Sequence, residues 1–245
     1  MKAIWNSIIV IILLLSCSSI DEQDQWNNYS LKKGIVLGNS ITVHVANDYW
    51  WGVWGMAASC EDNDFVHRLE SKIRQYNPDF CIDRANIAQW EVSLDISALD
   101  LTAINGIGYP SGKSLNICDY DLIIIRLGEN IEDQTERITC EKAFKELVDN
   151  IKARNASAQI YITGVYWPVK NKEKAIKSVA ASEHIPYIRI DKFYTSPNLP
   201  VIGDKVYGND GQLHTIDNKF IIKHPNDAGM EAIAEEIFRA IRKGY

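Results

Sequence analysis

The stretch GIVLGNSIT, residues 34–42, decides the fold of this chain. Its first half is a short apolar run that stops at Gly38-Asn39, which is typical of a buried parallel strand ending in a functional loop. That loop is predicted to place the Ser40 hydroxyl at the carboxyl end of the strand. A serine there is either a nucleophile or the N-cap of a following helix, since serine is among the preferred capping residues.

Short apolar runs alternate with helical patterns along the rest of the chain. Further strands are predicted at residues 80–82, 120–127, 159–163 and 185–190, and helices at residues 64–73, 141–153, 172–182 and 227–243. This alternation predicts an α/β protein, a three-layer α/β/α sandwich with a central five-stranded parallel sheet. Sites of such sheets lie at the carboxyl ends of the strands. The aperiodic segment 191–223 is expected to shape the site or to carry a small hairpin.

The composition is that of an ordinary globular domain, with 46% hydrophobic and 24% charged residues in a chain of 245. The formal net charge is −6, and no lysine and arginine cluster interleaved with aromatic residues could follow a phosphate backbone. Nucleic acid is therefore not an expected partner. The sequence has neither a phosphate-binding glycine loop nor a metal-ligand pattern, so we expect no cofactor and no metal.

The N-terminus predicts export. Lys2 precedes an unbroken apolar run at residues 8–15, which is too short to span a bilayer that needs roughly 20 helical residues, and is typical of a signal peptide. The run is followed by LLSC, which resembles a bacterial lipobox whose cysteine, here Cys17, becomes lipidated. The alternative is an ordinary cleaved signal peptide in which Cys17 has no such role.

Domain boundaries and location follow from the lipobox interpretation. Residues 1–17 are predicted to be the signal peptide with its lipobox cysteine, residues 18–31 a polar tether, and residues 32–245 the folded domain. A lipid on Cys17 would attach the protein to a membrane of the bacterial cell envelope, in the periplasm or at the outer cell surface.

Two further polar segments come where they can meet Ser40. Gly128-Glu129-Asn130 follows the predicted central strand, and His224-Pro225-Asn226-Asp227 opens the last predicted helix. A hydroxyl, an amide side chain and an imidazole at one edge of a parallel sheet are the groups that acyl transfer requires. This combination favours the nucleophile over the helix cap as the role of Ser40.

The ordered set of motifs resembles the SGNH (GDSL-like) hydrolases. GNSIT at residues 38–42 is similar to their first block, usually Gly-Asp-Ser, with Asn39 in place of the aspartate. LGEN at 127–130 is similar to their Gly-x-Asn block and HPNDAG at 224–229 to their closing block, while DRANIA at 83–88 stands where their glycine block belongs. The resemblance implies the flavodoxin-like SGNH hydrolase fold and a carboxylic ester hydrolase.

The resemblance also implies a role for each residue. Ser40 would be the nucleophile that attacks an ester carbonyl, and His224 the general base that accepts its proton. The oxyanion would be held by the backbone N–H groups of Ser40 and Ala88 and by the side-chain amide of Asn130. Ala88 stands in the place of the family's glycine, and an alanine keeps the backbone donor.

The third member of the catalytic triad stays open. The family carries an aspartate three residues before the histidine, where this chain has Ile221, so either the enzyme works as a Ser-His dyad or another group orients the imidazole. The candidates for such a group are a backbone carbonyl, Asp217, Asp210 and Glu129. His214 competes for the role of base, but it lacks the Pro-Asn that follows His224. Asp227 is expected to cap the last helix.

Aromatic residues cluster after the nucleophile loop, in YWWGVWGM at residues 49–56. They either pack in the core or form a wall beside Ser40 that is suited to sugar rings. In the second interpretation Trp90-Glu91 and Tyr166-Trp167-Pro168 extend the wall. The predicted substrate-binding residues are then Trp51, Trp54, Trp90 and Glu129.

Together these features predict a serine esterase that removes short acyl groups, above all O-acetyl groups, from an acylated saccharide or another small ester. Two alternatives stay open. One is a lysophospholipase or thioesterase of the same fold, and the other is a non-catalytic carbohydrate-binding lipoprotein.

Overall fold

The computed structural model describes residues 31–104 and 114–244. The predicted signal peptide with Cys17, and residues 18–30 of the predicted tether, lie outside these ranges. Leu31, the last residue of the predicted tether, is buried in the core. The folded domain therefore includes at least one residue more than the sequence predicts.

A parallel sheet of five strands forms the middle layer. Its strands are β1 (Lys33–Gly38), β2 (Cys81–Asn86), β3 (Leu122–Ile125), β4 (Gln159–Thr163) and β5 (Tyr187–Ile188). They lie in the order β2-β1-β3-β4-β5 with every neighbouring pair parallel, which confirms the predicted sheet. The order reverses between β1 and β3, and a crevice opens at such a point beyond the carboxyl ends of the strands.

Helices cover both faces of this sheet. The α-helices are α1 (Phe65–Arg74), α2 (Ala88–Ser93), α3 (Arg137–Arg154), α4 (Lys170–Ser182) and α5 (Asp227–Lys243). Short 3-10 helices lie at Glu61–Asn63, Ile96–Ala98, Ile117–Asp119, Asp191–Phe193, Ser196–Asn198 and Ile221–Lys223. Helices α1 and α5 pack together on one face, and α3 and α4 pack together on the other, so the predicted three-layer sandwich is confirmed.

Alternation along β3 shows how the sequence builds both cores. Leu122 and Ile124 face the cluster that contains α1 and α5, whereas Ile123 and Ile125 face the cluster that contains α3 and α4. All four side chains are fully buried, because successive residues of a strand point to opposite faces and both faces are covered. The unbroken apolar run of β3 thus reflects its place in the middle of the sheet.

The N-cap of the last helix lies one residue earlier than the sequence predicts. Asn226, rather than Asp227, is the N-cap of α5, and its side-chain oxygen accepts from the Gly229 N–H at 3.0 Å. Asp227 is the first helical residue and accepts from the N–H and the hydroxyl of Ser59, at 2.7 and 2.6 Å. The Asp227 carboxylate therefore joins the start of α5 to the loop that follows Ser40.

The aperiodic segment does carry a small hairpin, as expected. Strands β6 (Lys205–Tyr207) and β7 (Leu213–Thr215) pair antiparallel outside the main sheet. In the part of the chain that the structure describes, no helix has the length and apolar character needed to cross a membrane.

Candidate active site

Ser40 lies in a tight turn directly after β1. The Asn39 carbonyl accepts from the N–H groups of Thr42 and Val43, at 2.9 and 3.1 Å, which bends the chain sharply at the serine. A Cβ on Gly38 would lie 1.9 Å from the Thr42 hydroxyl, so only glycine allows this approach. No helix starts after Ser40 before Glu61, and the helix-cap interpretation of Ser40 is therefore wrong.

The Ser40 hydroxyl is paired with His224. Ser40 Oγ lies 2.8 Å from His224 Nε2, and His224 Nδ1 lies 3.0 Å from the carbonyl oxygen of Phe220. Because a carbonyl oxygen can only accept, Nδ1 carries the hydrogen and Nε2 is left as the acceptor for the hydroxyl. This is the tautomer that a general base for Ser40 needs.

Among the candidates for orienting the imidazole, the structure selects the backbone carbonyl. Asp210 binds the other histidine instead, with its carboxylate 2.9 Å from His214 Nε2, and Asp217 is an exposed side chain. Glu129 is buried and forms an ion pair with Arg126. The sequence-based candidates Asp210, Asp217 and Glu129 are therefore wrong.

Burial sets the protonation state of the imidazole. Burial and, more weakly, the positive charge of Arg126 lower the pKa of His224 to about 4, against the opposing effect of its hydrogen bond to the Phe220 carbonyl. The imidazole is therefore neutral at pH 7. Because a carbonyl rather than a carboxylate lies beside Nδ1, a protonated His224 would be stabilised there by a dipole and not by a full negative charge.

Ser40 and His224 open into a cavity of about 580 Å³ at the carboxyl end of the sheet. The cavity is also lined by His44, Tyr49, Asn86, Ala88, Asn130, Trp167 and Phe220. The structure therefore brings Ser40, His224, Asn130 and Ala88 together as the motifs predict. Trp167 stands over the base, with its ring 5.6 Å from the His224 ring at an angle of 70°.

Two of the three predicted oxyanion donors are free to act. The Ser40 N–H has no acceptor among the described residues, and the Asn130 amide uses only one of its two hydrogens, toward Glu91 Oε2 at 2.6 Å. The Ala88 N–H, in contrast, is donated to Asn86 Oδ1 at 3.0 Å. Its part in an oxyanion hole stays a prediction, since it would have to exchange that acceptor for a substrate oxygen.

A buried polar cluster lies behind Ser40, and the sequence did not assign two of its members, Glu91 and Arg126, to such a cluster. The Asn39 amide donates to Glu129 Oε2 at 2.8 Å and to Glu91 Oε1 at 3.1 Å, and its oxygen accepts from Arg126 at 2.6 Å. The Tyr166 N–H donates to Glu129 at 2.7 Å. The signal for Arg126 was a charged residue at the end of the most apolar strand of the sequence.

This cluster explains why asparagine replaces the expected aspartate at position 39. Asparagine can donate to two carboxylates and accept from a guanidinium at the same time. An aspartate there would place a third carboxylate around the single guanidinium of Arg126. Burial, followed by the charge of Glu129, already raises the pKa of Glu91 to about 7.

The predicted substrate-binding residues do not line the cavity. Trp54 and Trp90 are buried in the two cores, Trp54 with its indole N–H donated to the Ala58 carbonyl and Trp90 against Phe144. Trp51 stacks on His214 with ring centres 4.5 Å apart, and Glu129 belongs to the buried cluster. Core packing is therefore the correct interpretation for Trp54 and Trp90, while Tyr49, Trp167 and Phe220 supply the aromatic lining.

No protein-family model and no curated protein matches the sequence. Three solved structures are similar in fold. A family two carbohydrate esterase from Clostridium thermocellum, an active-site mutant in complex with a cello-oligosaccharide, is 14% identical with a TM-score of 0.51 and is matched over 87% of this chain and 64% of its own. A two-domain esterase active on acetylated mannans, co-crystallised with mannopentaose, is 14% identical with a TM-score of 0.53, over 91% and 52%.

The third is a salicylyl-acyltransferase from a tetracycline biosynthetic pathway, 15% identical with a TM-score of 0.54, over 88% of this chain and 56% of its own. The chain thus spans between about half and two thirds of the length of these proteins. At this level of identity the likeness concerns the fold. The chain shares the fold of these proteins, and its five-stranded parallel sheet is the one that its sequence predicts.

Proposed function

We propose that the protein is a serine esterase that hydrolyses short acyl esters, above all O-acetyl esters of carbohydrate. The observation that carries the proposal is the 2.8 Å contact between Ser40 Oγ and His224 Nε2 in a cavity that also contains the Asn130 amide. A nucleophile, a base in the correct tautomer and an amide donor in one cavity make up the equipment of acyl transfer.

The geometry supports a two-step reaction. Ser40 Oγ attacks the ester carbonyl while His224 Nε2 takes its proton, and the Ser40 N–H and the second Asn130 N–H hold the resulting oxyanion. The tetrahedral intermediate then collapses, and His224 gives the proton to the departing alcohol. Water, activated by the same imidazole, hydrolyses the acyl-enzyme and restores Ser40.

The lining of the cavity supports a carbohydrate alcohol as the leaving group. Tyr49, Trp167 and Phe220 provide aromatic surface beside the nucleophile, and Phe220 is 57% exposed. Aromatic rings pack well against the apolar faces of sugar rings. Two proteins of similar fold were crystallised with oligosaccharides, which supports the same substrate class here.

We also propose that a lipid on Cys17 holds the enzyme at the bacterial cell envelope. The apolar run at residues 8–15 and the LLSC sequence support this proposal. Growth of cells that express the full chain with labelled palmitate tests it, since the wild type should incorporate the label and Cys17→Ala should not. A wild type without label, or equal labelling of the two chains, would exclude the lipid anchor.

Hydrolysis of p-nitrophenyl acetate and p-nitrophenyl octanoate by residues 21–245 tests the esterase. We expect acetate to be preferred, and Ser40→Ala and His224→Ala each to lower kcat at least roughly 1,000-fold. His214→Ala is the matched control, because His214 has an aspartate partner but lies outside the cavity. Activity that survives Ser40→Ala, or that His214→Ala removes instead, would overturn the catalytic assignment.

The substrate class needs a second assay. Release of acetate from acetylated mannan or xylan oligosaccharides should exceed, in kcat/KM, release of acyl chains from lysophosphatidylcholine or a long-chain thioester. The opposite order would support the lipase or thioesterase alternative. Oligosaccharide binding by a wild-type protein that hydrolyses none of these substrates would support the non-catalytic carbohydrate-binding alternative.

A further inference from the structure

A fully buried carboxylate, that of Glu91, lies directly behind the cavity that contains Ser40. It is on α2 and contacts the segments that follow β1 and β3. Glu91 Oε1 accepts from the Asn39 amide at 3.1 Å, from the Asn130 N–H at 3.4 Å, and from the Gly128 N–H. Glu91 Oε2 accepts from the side-chain amide of Asn130, at 2.6 Å.

The two oxygens thus differ in what their donors can do. The donors to Oε1 include two backbone N–H groups, which cannot turn away. The donor to Oε2 is a side-chain amide, which can rotate by half a turn and present its oxygen instead. The state of Oε2 therefore decides which end of the Asn130 amide faces Glu91 and which end faces the cavity.

We propose that Glu91 is a positioning residue whose carboxylate orients the Asn130 amide so that an N–H points at the oxyanion. This inference rests on the proposed esterase function and assigns a control to its oxyanion hole. When Glu91 is ionised, Oε2 holds one N–H of Asn130 and leaves the second for the substrate. A proton on Oε2 makes it a donor, which favours the turned amide and removes the N–H from the cavity.

The groups around Glu91 place this change near neutral pH. The segment after β3 contributes the Glu129 carboxylate and the end of β3 contributes the Arg126 guanidinium, which binds Glu129. The end of β1 contributes Asn39, which is neutral. Tyr166 after β4 donates its N–H to Glu129 and its hydroxyl to the carbonyls of Phe193 and Asn198. Burial and the charge of Glu129 raise the pKa of Glu91 to about 7, whereas burial lowers the pKa of His224 to about 4. The proposal therefore predicts that activity falls near pH 7 as the pH is lowered, well before His224 itself is protonated.

Glu91→Gln is the direct test, because glutamine keeps the shape and can keep an oxygen at the Oε1 position. Its amide nitrogen then stands at the Oε2 position and faces the Asn130 amide, which must turn. We expect kcat for p-nitrophenyl acetate to fall about 100- to 1,000-fold, the cost of one oxyanion donor, with little change in KM. As the pH is lowered, the kcat of the wild type should fall with a midpoint near pH 7. The kcat of the variant should stay constant until His224 is protonated.

Asn130→Ala separates positioning from a general structural effect. The kcat of Asn130→Ala should be as low as that of Glu91→Gln. It should also no longer fall near pH 7 as the pH is lowered. The double variant Glu91→Gln/Asn130→Ala should be no slower than either single variant. Glu173→Gln is a matched control, because Glu173 is a half-buried carboxylate with a raised pKa that contacts the Val165 N–H instead. The proposal would be overturned if the kcat of Asn130→Ala still fell near pH 7 as the pH is lowered. It would also be overturned if the reductions in kcat of the two single variants multiplied in the double variant.

A readout without turnover keeps this inference separable from the esterase proposal. In Ser40→Ala, the ¹⁵N–¹H side-chain signals of Asn130, recognised by their loss in Ser40→Ala/Asn130→Ala, should shift with a midpoint near pH 7. The shift should vanish in Ser40→Ala/Glu91→Gln. A wild type without esterase activity that shows this shift would refute the proposed function alone, and signals that do not move would refute the positioning role.

Discussion

Glu91 and His224 make opposite contributions to the pH dependence of stability, and removing one should reveal the other. The pKa of Glu91 rises from 4.5 to about 7 in the folded chain, and that of His224 falls from 6.5 to about 4. A pKa difference of one unit between folded and unfolded chain corresponds to about 1.4 kcal/mol. Each group therefore changes the free energy of unfolding by about 3 kcal/mol over its range.

The signs follow from which state binds the proton. Between pH 4.5 and 7 the folded chain holds a proton on Glu91 that the unfolded chain has lost, so stability falls as the pH rises. Between pH 4 and 6.5 the unfolded chain holds a proton on His224 that the folded chain lacks, so stability rises with pH. In the wild type the two slopes nearly cancel where these ranges overlap.

Urea unfolding in steps from pH 4 to 8 measures both slopes. Relative to the wild type, Glu91→Gln lacks the contribution of the glutamate and should gain about 3 kcal/mol as the pH rises from 4.5 to 7. On the same scale, His224→Ala lacks the contribution of the histidine and should lose about 3 kcal/mol as the pH rises from 4 to 6.5. Other titrating groups are common to the three chains and cancel in the differences. If the three proteins gave parallel curves of unfolding free energy against pH, or differences of the opposite sign, folding would not shift the pKa values of these two groups in this way.

Three further substitutions probe the cluster, the cavity and the packing. Asn39→Asp should lower the free energy of unfolding at pH 8 by roughly 3–6 kcal/mol, because two hydrogen bonds to carboxylates become repulsions. The reduction should be smaller at pH 5, and equal stability of the two proteins at pH 8 would contradict the cluster. Trp167→Ala should raise KM for an acetylated oligosaccharide about 2- to 10-fold with little effect on p-nitrophenyl acetate, while Trp51→Ala leaves both unchanged; equal effects of the two would refute the assigned lining. Asp227→Ala should lower the urea midpoint by an amount equivalent to about 2–4 kcal/mol, since two hydrogen bonds to Ser59 are lost; an unchanged midpoint would show that this contact stabilises nothing.

Local patterns of sequence predict the fold because each strand carries its own signal. The apolar run around β3 marks the middle of the sheet, and the alternation of strands with helices fixes parallel pairing. Element ends are less well predicted. The run predicted as strand 120–127 forms a strand only over Leu122–Ile125. The Arg126 N–H still donates to the Leu37 carbonyl at 2.8 Å, while its side chain enters the polar cluster behind Ser40.

The site could be predicted only where motifs name side chains. Ser40, His224 and Asn130 are marked by their neighbours in sequence, and the structure brings them to one cavity. The partner of the imidazole is a backbone carbonyl, that of Phe220, which any residue could supply and no sequence pattern marks. A local sequence pattern also does not show whether a side chain lies in the core or in the cavity. For this reason the sequence predicts Trp54 in the cavity, whereas its side chain is buried.

Two departures from the family pattern, Asn39 and Ile221, would by themselves indicate a decayed esterase. The structure gives each of them a physical cause. The Asn39 amide bridges two buried carboxylates and a guanidinium, which a carboxylate at this position could not do. Ile221 is fully buried in the core, while the adjacent Phe220 carbonyl holds Nδ1. A site without function has no reason to keep Glu91, Glu129 and Arg126 buried at a desolvation cost behind its serine. The departures therefore count as evidence for a differently built site rather than for a lost one.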